Sequence, residues 1–321
     1  MRKNRLIIKG LSGAFCAAVL ATASASAQTA SATVQPGVEV AEAAPTQAAS
    51  FAVGEGPEGV TTDGTNVFVA NQFSNTVTKL RGSDGASVAT YKVGRRPVAL
   101  AFDGSAVWVA NYLGNNVMKL DPATGALLGT YAVGEGPGGL LCTSGHVWVA
   151  NRNSNTVTKL RAADGMTLGT YEVGTRPIGL AADSTHVYVT NNNSDTVTKL
   201  RAANGAVVGT FTVGDGPFGI AFDGASLWVA NFGSGNVMKL NTDGTLAGTY
   251  RVGDGPVSAI HHNGVILVVN NGGDNVTMLR AEDGANIGSL PTGRSPIGVA
   301  AAGSSLWVTN SGGNSVTLTK R

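Results

Sequence analysis

Residues Ser50–Pro57 read SFAVGEGP, and eighty residues later Thr130–Pro137 read TYAVGEGP. The later copy ends one repeating unit and opens the next. The earlier copy has no unit in front of it. Fixed-period self-similarity decides a repeat fold before any local pattern does. Here a Gly-x-x-Pro punctuator begins at Gly54, Gly94, Gly134, Gly174, Gly214, Gly253 and Gly293, a spacing of 40 residues with one step of 39. The short step falls where Lys239–Gly244 reads KLNTDG, one residue fewer than KLRAADG at Lys159–Gly165.

One unit, residues 94–133, predicts four short strands. Val98–Phe102 is apolar and runs into Asp103-Gly104, a tight-turn signal. Val107–Ala110 is the second strand, Asn116–Leu120 the third and Leu127–Val133 the fourth, separated by polar or Gly-containing turns. No segment carries helical periodicity. Four strands in about 40 residues is the size of a propeller blade. The last unit, from Gly293, supplies only three strands. Phe51–Val53 is a fourth strand without its first three, so the two ends of the chain complete one blade. Six full units and this composite predict an all-β, seven-bladed β-propeller of four-stranded blades, closed by its N-terminal strand. Closure removes two exposed sheet edges.

The domain plan follows. Arg2, Lys3, Arg5 and Lys9, an apolar run from Leu11 to Ala23, and Ala25-Ser26-Ala27 form a Sec-type signal peptide over 1–27, cleaved after Ala27. The apolar run is too short to span a bilayer, and the mature chain is expected to hold no transmembrane segment. Residues 28–49, rich in Ala, Pro and Thr, read as a disordered linker, and 50–321 as the propeller. A secreted or periplasmic protein results. Cleavage removes four of 22 basic residues, leaving 18 against 20 acidic and a net charge of −2. That balance disfavours nucleic acid as a partner. Cys142 remains as the only mature thiol, so no intramolecular disulfide is expected.

The second strands carry a resemblance. FVAN at Phe68–Asn71, WVAN at Trp108–Asn111, Trp148–Asn151 and Trp228–Asn231, YVTN at Tyr188–Asn191, LVVN at Leu267–Asn270 and WVTN at Trp307–Asn310 resemble the signature of YVTN-repeat (YncE-like) β-propellers. The resemblance implies the propeller fold and a periplasmic setting, with DNA binding described for some members. A looser resemblance is to streptogramin B (virginiamycin B) lyase-type propellers. That one implies a carbon–oxygen lyase using Mg2+, histidine and glutamate. His261 and His262 are its candidates in this chain, although no glutamate partner lies nearby in sequence.

Most repeated residues have architectural readings. The aromatics of the second strand fill the wedge between blades. The Asn that follows each one serves a turn. Lys79, Lys119, Lys159, Lys199 and Lys239 on the third strands read as solvated charges that discourage edge pairing. The ring Gly59, Ala99, Gly139, Gly179, Gly219, Ser258 and Gly298 puts small residues where seven strands converge and is expected to leave that part of the channel without a carboxylate, imidazole or amide. That ring disfavours catalysis.

Function is then sought in the loops, where the units differ. Strand alternation puts the Gly-x-x-Pro loops and the second-to-third-strand loops on one face. The first set carries Arg95, Arg96 and Arg176 among alternating acids; the second carries Phe73, Tyr112 and Phe232, with Arg152 between them. Aromatics beside an Arg suit a stacked ring. The expected function is a monomeric, non-enzymatic binding or scaffold protein without cofactor. Its partner is a protein, a cell-wall fragment or a small molecule at this face. The alternatives are a Mg2+-dependent lyase and a DNA binder.

Overall fold

The computed structural model describes residues 15–16 and 46–320. Seven four-stranded antiparallel sheets stand as blades, and in six of them the strands run in chain order from the axis outward. Blade 1 is Pro57–Thr62, Asn66–Asn71, Thr76–Arg81 and Ser87–Lys92. Blades 2 to 6 repeat it. Blade 7 takes Pro296–Ala302, Ser305–Asn310 and Ser315–Lys320, and its outer strand is Thr46–Ala52. Phe51 pairs with Val316, Ser50 with Thr317 and Thr46 with Lys320. The ring is therefore closed by the two ends of the chain. The closing strand begins at Thr46, four residues before the expected domain start, because the third strand of blade 7 extends to Lys320 and offers partners that far. Phe15–Cys16 forms a two-residue strand parallel to Gly139 and Leu140 on the inner strand of blade 3. The rest of the expected leader and most of the linker lie outside the described residues. No helix among the described residues is long and apolar enough to cross a membrane.

The core is divided into seven wedges, one between each pair of blades. Trp148, Ala150 and Val157 of blade 3 pack with Leu180, Val187, Val189 and Leu200 of blade 4. The equivalent cluster at the seam between blades 7 and 1 joins Trp307, Val316 and Leu318 to Val60, Val67, Val69 and Leu80. The four tryptophans are at most 1% exposed, as large flat side chains in a wedge should be. The inner-ring small residues are also explained by packing. A Cβ at Gly59 would lie 2.8 Å from the Ala99 Cα, and one at Gly219 2.7 Å from the Ser258 Cα. They face the neighbouring inner strand, so the chemistry of the channel is set elsewhere.

The third-strand lysines differ from the expectation. Lys79, Lys119 and Lys159 are at most 8% exposed. Each ammonium lies over the ring directly across the ladder, Lys159 over Trp148 at 5.2 Å and Lys239 over Trp228 at 4.9 Å. Each then donates to backbone carbonyls in the third-to-fourth-strand turn of the next blade. Lys119 reaches Ala162 O at 2.6 Å, Lys159 reaches Ala202 O at 2.8 Å and Lys239 reaches Ala281 O at 2.7 Å. These lysines staple blades together. The ring face and the carbonyls compensate the desolvation that would expel an isolated ammonium.

Candidate functional site

The two loop sets do share one face. Backbone bonds lock them, with Gln72 N donating to Gly56 O at 3.0 Å and Arg152 N to Gly136 O at 3.0 Å. The residue before each Pro is left-handed. Four blades use glycine there, Gly56, Gly136, Gly216 and Gly255, while Arg96 and Arg176 hold φ of 57° and Ser295 52°. An L-residue in that region is strained by roughly 1–2 kcal/mol. Two blades therefore carry a guanidinium where glycine would fold more easily. Each strained amide is held from the preceding blade, Arg96 N by Asn75 Oδ1 at 2.7 Å and Arg176 N by Asn155 Oδ1 at 2.9 Å.

From these loops blades 1 to 3 build a ladder of rings and guanidinium groups. The Arg96 carbon Cζ lies 6.0 Å from the Phe73 ring centroid and 5.3 Å from that of Tyr112; the Arg152 Cζ lies 5.9 Å from that of Tyr112. Gln72 Oε1 accepts from Arg96 Nε at 3.1 Å, and the Tyr112 hydroxyl donates to Asn153 Oδ1 at 3.2 Å. Phe73 keeps 59% of its surface exposed. The structure thus brings together Phe73, Tyr112, Arg96 and Arg152 from the expected set.

Arg152 is the buried end of the ladder, 3% exposed. Space is made for it by Gly138, where a Cβ would lie 2.4 Å from its Nε. At the same inner-strand position the other blades have Glu58, Val98, Ile178, Phe218, Val257 and Ile297. The Arg152 Nε and Nη2 have no hydrogen-bond partner. Burial pushes its pKa down to about 10, with Arg176 and Arg96 adding to the fall and Glu58 and Tyr112 opposing it. It stays charged at neutral pH. Glu58, on the inner strand one residue before Gly59, is 1% exposed and faces the Arg152 charge. Glu58, Gln72 and Asn153 were not singled out in the sequence. The visible signal for Glu58 was an acid at an inner-strand position otherwise held by Gly or apolar residues.

The remaining candidates lie apart. Arg95 is exposed at the rim. Phe232 belongs to blade 5, where it packs on Phe218 at 5.7 Å and borders Gly255. His261 and His262 end the inner strand of blade 6, at the opposite end from the Gly-x-x-Pro loops. Consecutive strand residues point to opposite faces. His262 Nε2 lies 2.9 Å from Gly303 O and is taken up by the next blade's turn. Burial lowers the His261 pKa. Among the described residues no three His, Cys, Asp or Glu side chains are grouped to hold a metal ion. This histidine pair does not fit a magnesium site.

No family model matches the chain, and no curated protein matches it. Solved structures do. A virginiamycin B lyase from Staphylococcus aureus superposes with a TM-score of 0.76 at 16% identity, covering 86% of this chain and 99% of that one. A streptogramin B lyase gives 0.75 at 18%, covering 86% and 98%. A chain of a mitotic checkpoint complex gives 0.77 at 15%, covering 94% and 99%. The likeness is one of fold. Its bearers differ in what they do, so the propeller does not carry the function with it.

Proposed function

We propose that this protein is a secreted or periplasmic β-propeller of the YVTN type, without enzymatic activity of its own, that binds its partner through the sector of the Gly-x-x-Pro face built by blades 1 to 4. The observation that carries this reading is the buried Arg152 guanidinium with two nitrogens unpartnered. A buried donor left unmade costs about 1–3 kcal/mol. A cost that is kept beside strained Arg96 and Arg176 suits a site built for a ligand. The lyase reading has the fold in its favour, and its histidines lie on the other face. The DNA reading would require a larger excess of positive charge than this neutral chain offers.

The test is the melting temperature of the mature protein against peptides, cell-wall fragments, single- and double-stranded DNA, magnesium and a streptogramin B. A ligand at a hundred times its Kd adds about 2.7 kcal/mol to stability. The shift should vanish in a Phe73→Ala, Tyr112→Ala variant and persist in Phe232→Ala. A shift that survives the double variant would place the site elsewhere.

A further inference from the structure

Resting on that reading, we infer that Arg152 binds a ligand carboxylate side-on through its Nε and Nη2 hydrogens. Those two nitrogens lie on one edge of the guanidinium. That edge presents two parallel N–H bonds matched to the two oxygens of a carboxylate. The chain shows the same pairing on its surface, where Arg161 Nε and Nη2 hold the Asp164 oxygens at 2.9 and 2.7 Å. At Arg152 the same edge is buried and has no partner.

Three further observations agree. Gly138 clears the volume the guanidinium occupies, since any side chain there would collide with it. Tyr112 fixes the guanidinium from one side and Asn153 fixes Tyr112. Positive charge crowds the group: Arg96 and Arg176 both bear on the Arg152 charge, with Glu58 opposing them. An incoming anion would offset that excess in a site partly shielded from solvent, where charges interact more strongly. The same edge fits two oxygens of a phosphate, and the titration below separates the two. The carboxylate belongs to a small organic acid or to the C-terminus of a peptide, which share this chemistry.

The experiment follows the Arg152 Nε–H resonance of the isotope-labelled mature protein during titration with benzoate, N-acetylphenylalanine, inorganic phosphate and neutral benzamide. Both carboxylates should move that resonance saturably and benzamide should leave it in place. The stronger of the two carboxylates names the source. Arg152→Lys, which keeps the charge and loses the fork, should weaken binding about tenfold or more. A resonance unmoved by either carboxylate overturns the inference, as does phosphate binding tenfold more tightly than both. The wild-type titration stands even if the variant fails to fold. A ligand that needs Phe73 and Tyr112 but ignores Arg152→Leu would end this inference and keep the binding face. Carboxylate binding undiminished in the Phe73→Ala, Tyr112→Ala variant would keep this inference and end the wider face.

Discussion

The wedge between blades 3 and 4 and the wedge between blades 6 and 7 solve one packing problem in two ways. In the first, Lys159 stacks on Trp148 and donates to Ala202 O and Ala203 O, and the Tyr171 ring lies on Gly205. In the second, the lysine position is Met278, the tyrosine position is Leu290, and both join an aliphatic cluster with Ile297, Val299 and Leu306. The difference follows from ring closure. The lysine and the tyrosine both need the third-to-fourth-strand turn of the next blade, one for its carbonyls and the other for its glycine. Blade 7 has no such turn, because its third strand and its outer strand come from opposite ends of the chain. A Lys at 278 would lack acceptors, so an apolar chain of similar length stands there. At the next seam the turn of blade 1 is present. There Phe51 takes the tyrosine's place on Gly85, and Lys320 reaches Ser83 O at 3.1 Å.

The largest effect should come from breaking closure itself. Removing residues 46–53 strips Phe51 from Trp307, 5.9 Å away, and uncovers the blade 7 ladder. The expected loss is at least that of a buried Phe→Ala change, about 3–5 kcal/mol. Removing residues 28–45 should leave the melting temperature in place. Equal effects from the two deletions would mean that the ring does not depend on its N-terminal strand.

Exchanging the two solutions should come next. Met278→Lys places an ammonium in a wedge without the carbonyl turn, at a cost of roughly 3 kcal/mol or more, as for other uncompensated buried charges. Lys159→Met removes the bonds to Ala202 and Ala203 and should cost less, about 1–3 kcal/mol. Denaturant midpoints for the two variants give the order. If Met278→Lys proved the milder change, the account of the missing turn would fail.

The period of the repeat made the ring, the blade count and the closing strand legible, because each rests on spacing and on strand alternation. The staple was also written in the sequence, though in a form that single residues conceal. A lysine on a strand looks solvated when taken alone. Taken with its cross-strand partner, it stands opposite Phe68, Trp108, Trp148, Tyr188 and Trp228, and gives way to Met278 opposite Leu267 and to Leu318 opposite Trp307. The candidate site was legible in part. Exposed aromatics and arginines in variable loops pointed to the face. Which of them meet depends on side-chain reach across blade boundaries, which spacing does not encode. Phe232 stands in blade 5, away from the blades that carry Phe73 and Tyr112, as its place in the repeat already implied, and Glu58 entered from an inner strand thought to be purely structural.

The smallest effect sharpens the comparison inside the wedges. Trp108 Nε1 donates to Asp103 Oδ2 at 2.7 Å, whereas Trp307 Nε1 is buried and unpartnered. Trp108→Phe should cost about 1 kcal/mol more than Trp307→Phe, because the first loses a bond to a charged acceptor and the second sheds an unmet donor. The difference should also depend on pH. Burial tends to raise the Asp103 pKa, but hydrogen bonds from Trp108, Ser105 and Ala106 outweigh it and leave the carboxyl below its ordinary value. A carboxyl depressed by folding contributes stability above its unfolded pKa, near 4, and that contribution is lost as pH falls through the folded value. The gap between the two variants should therefore be full at neutral pH and narrow in acid below the ordinary carboxylate range. Melting curves at neutral and acid pH would show it. A gap that held constant would assign the cost to packing of the ring and not to the indole–carboxylate bond.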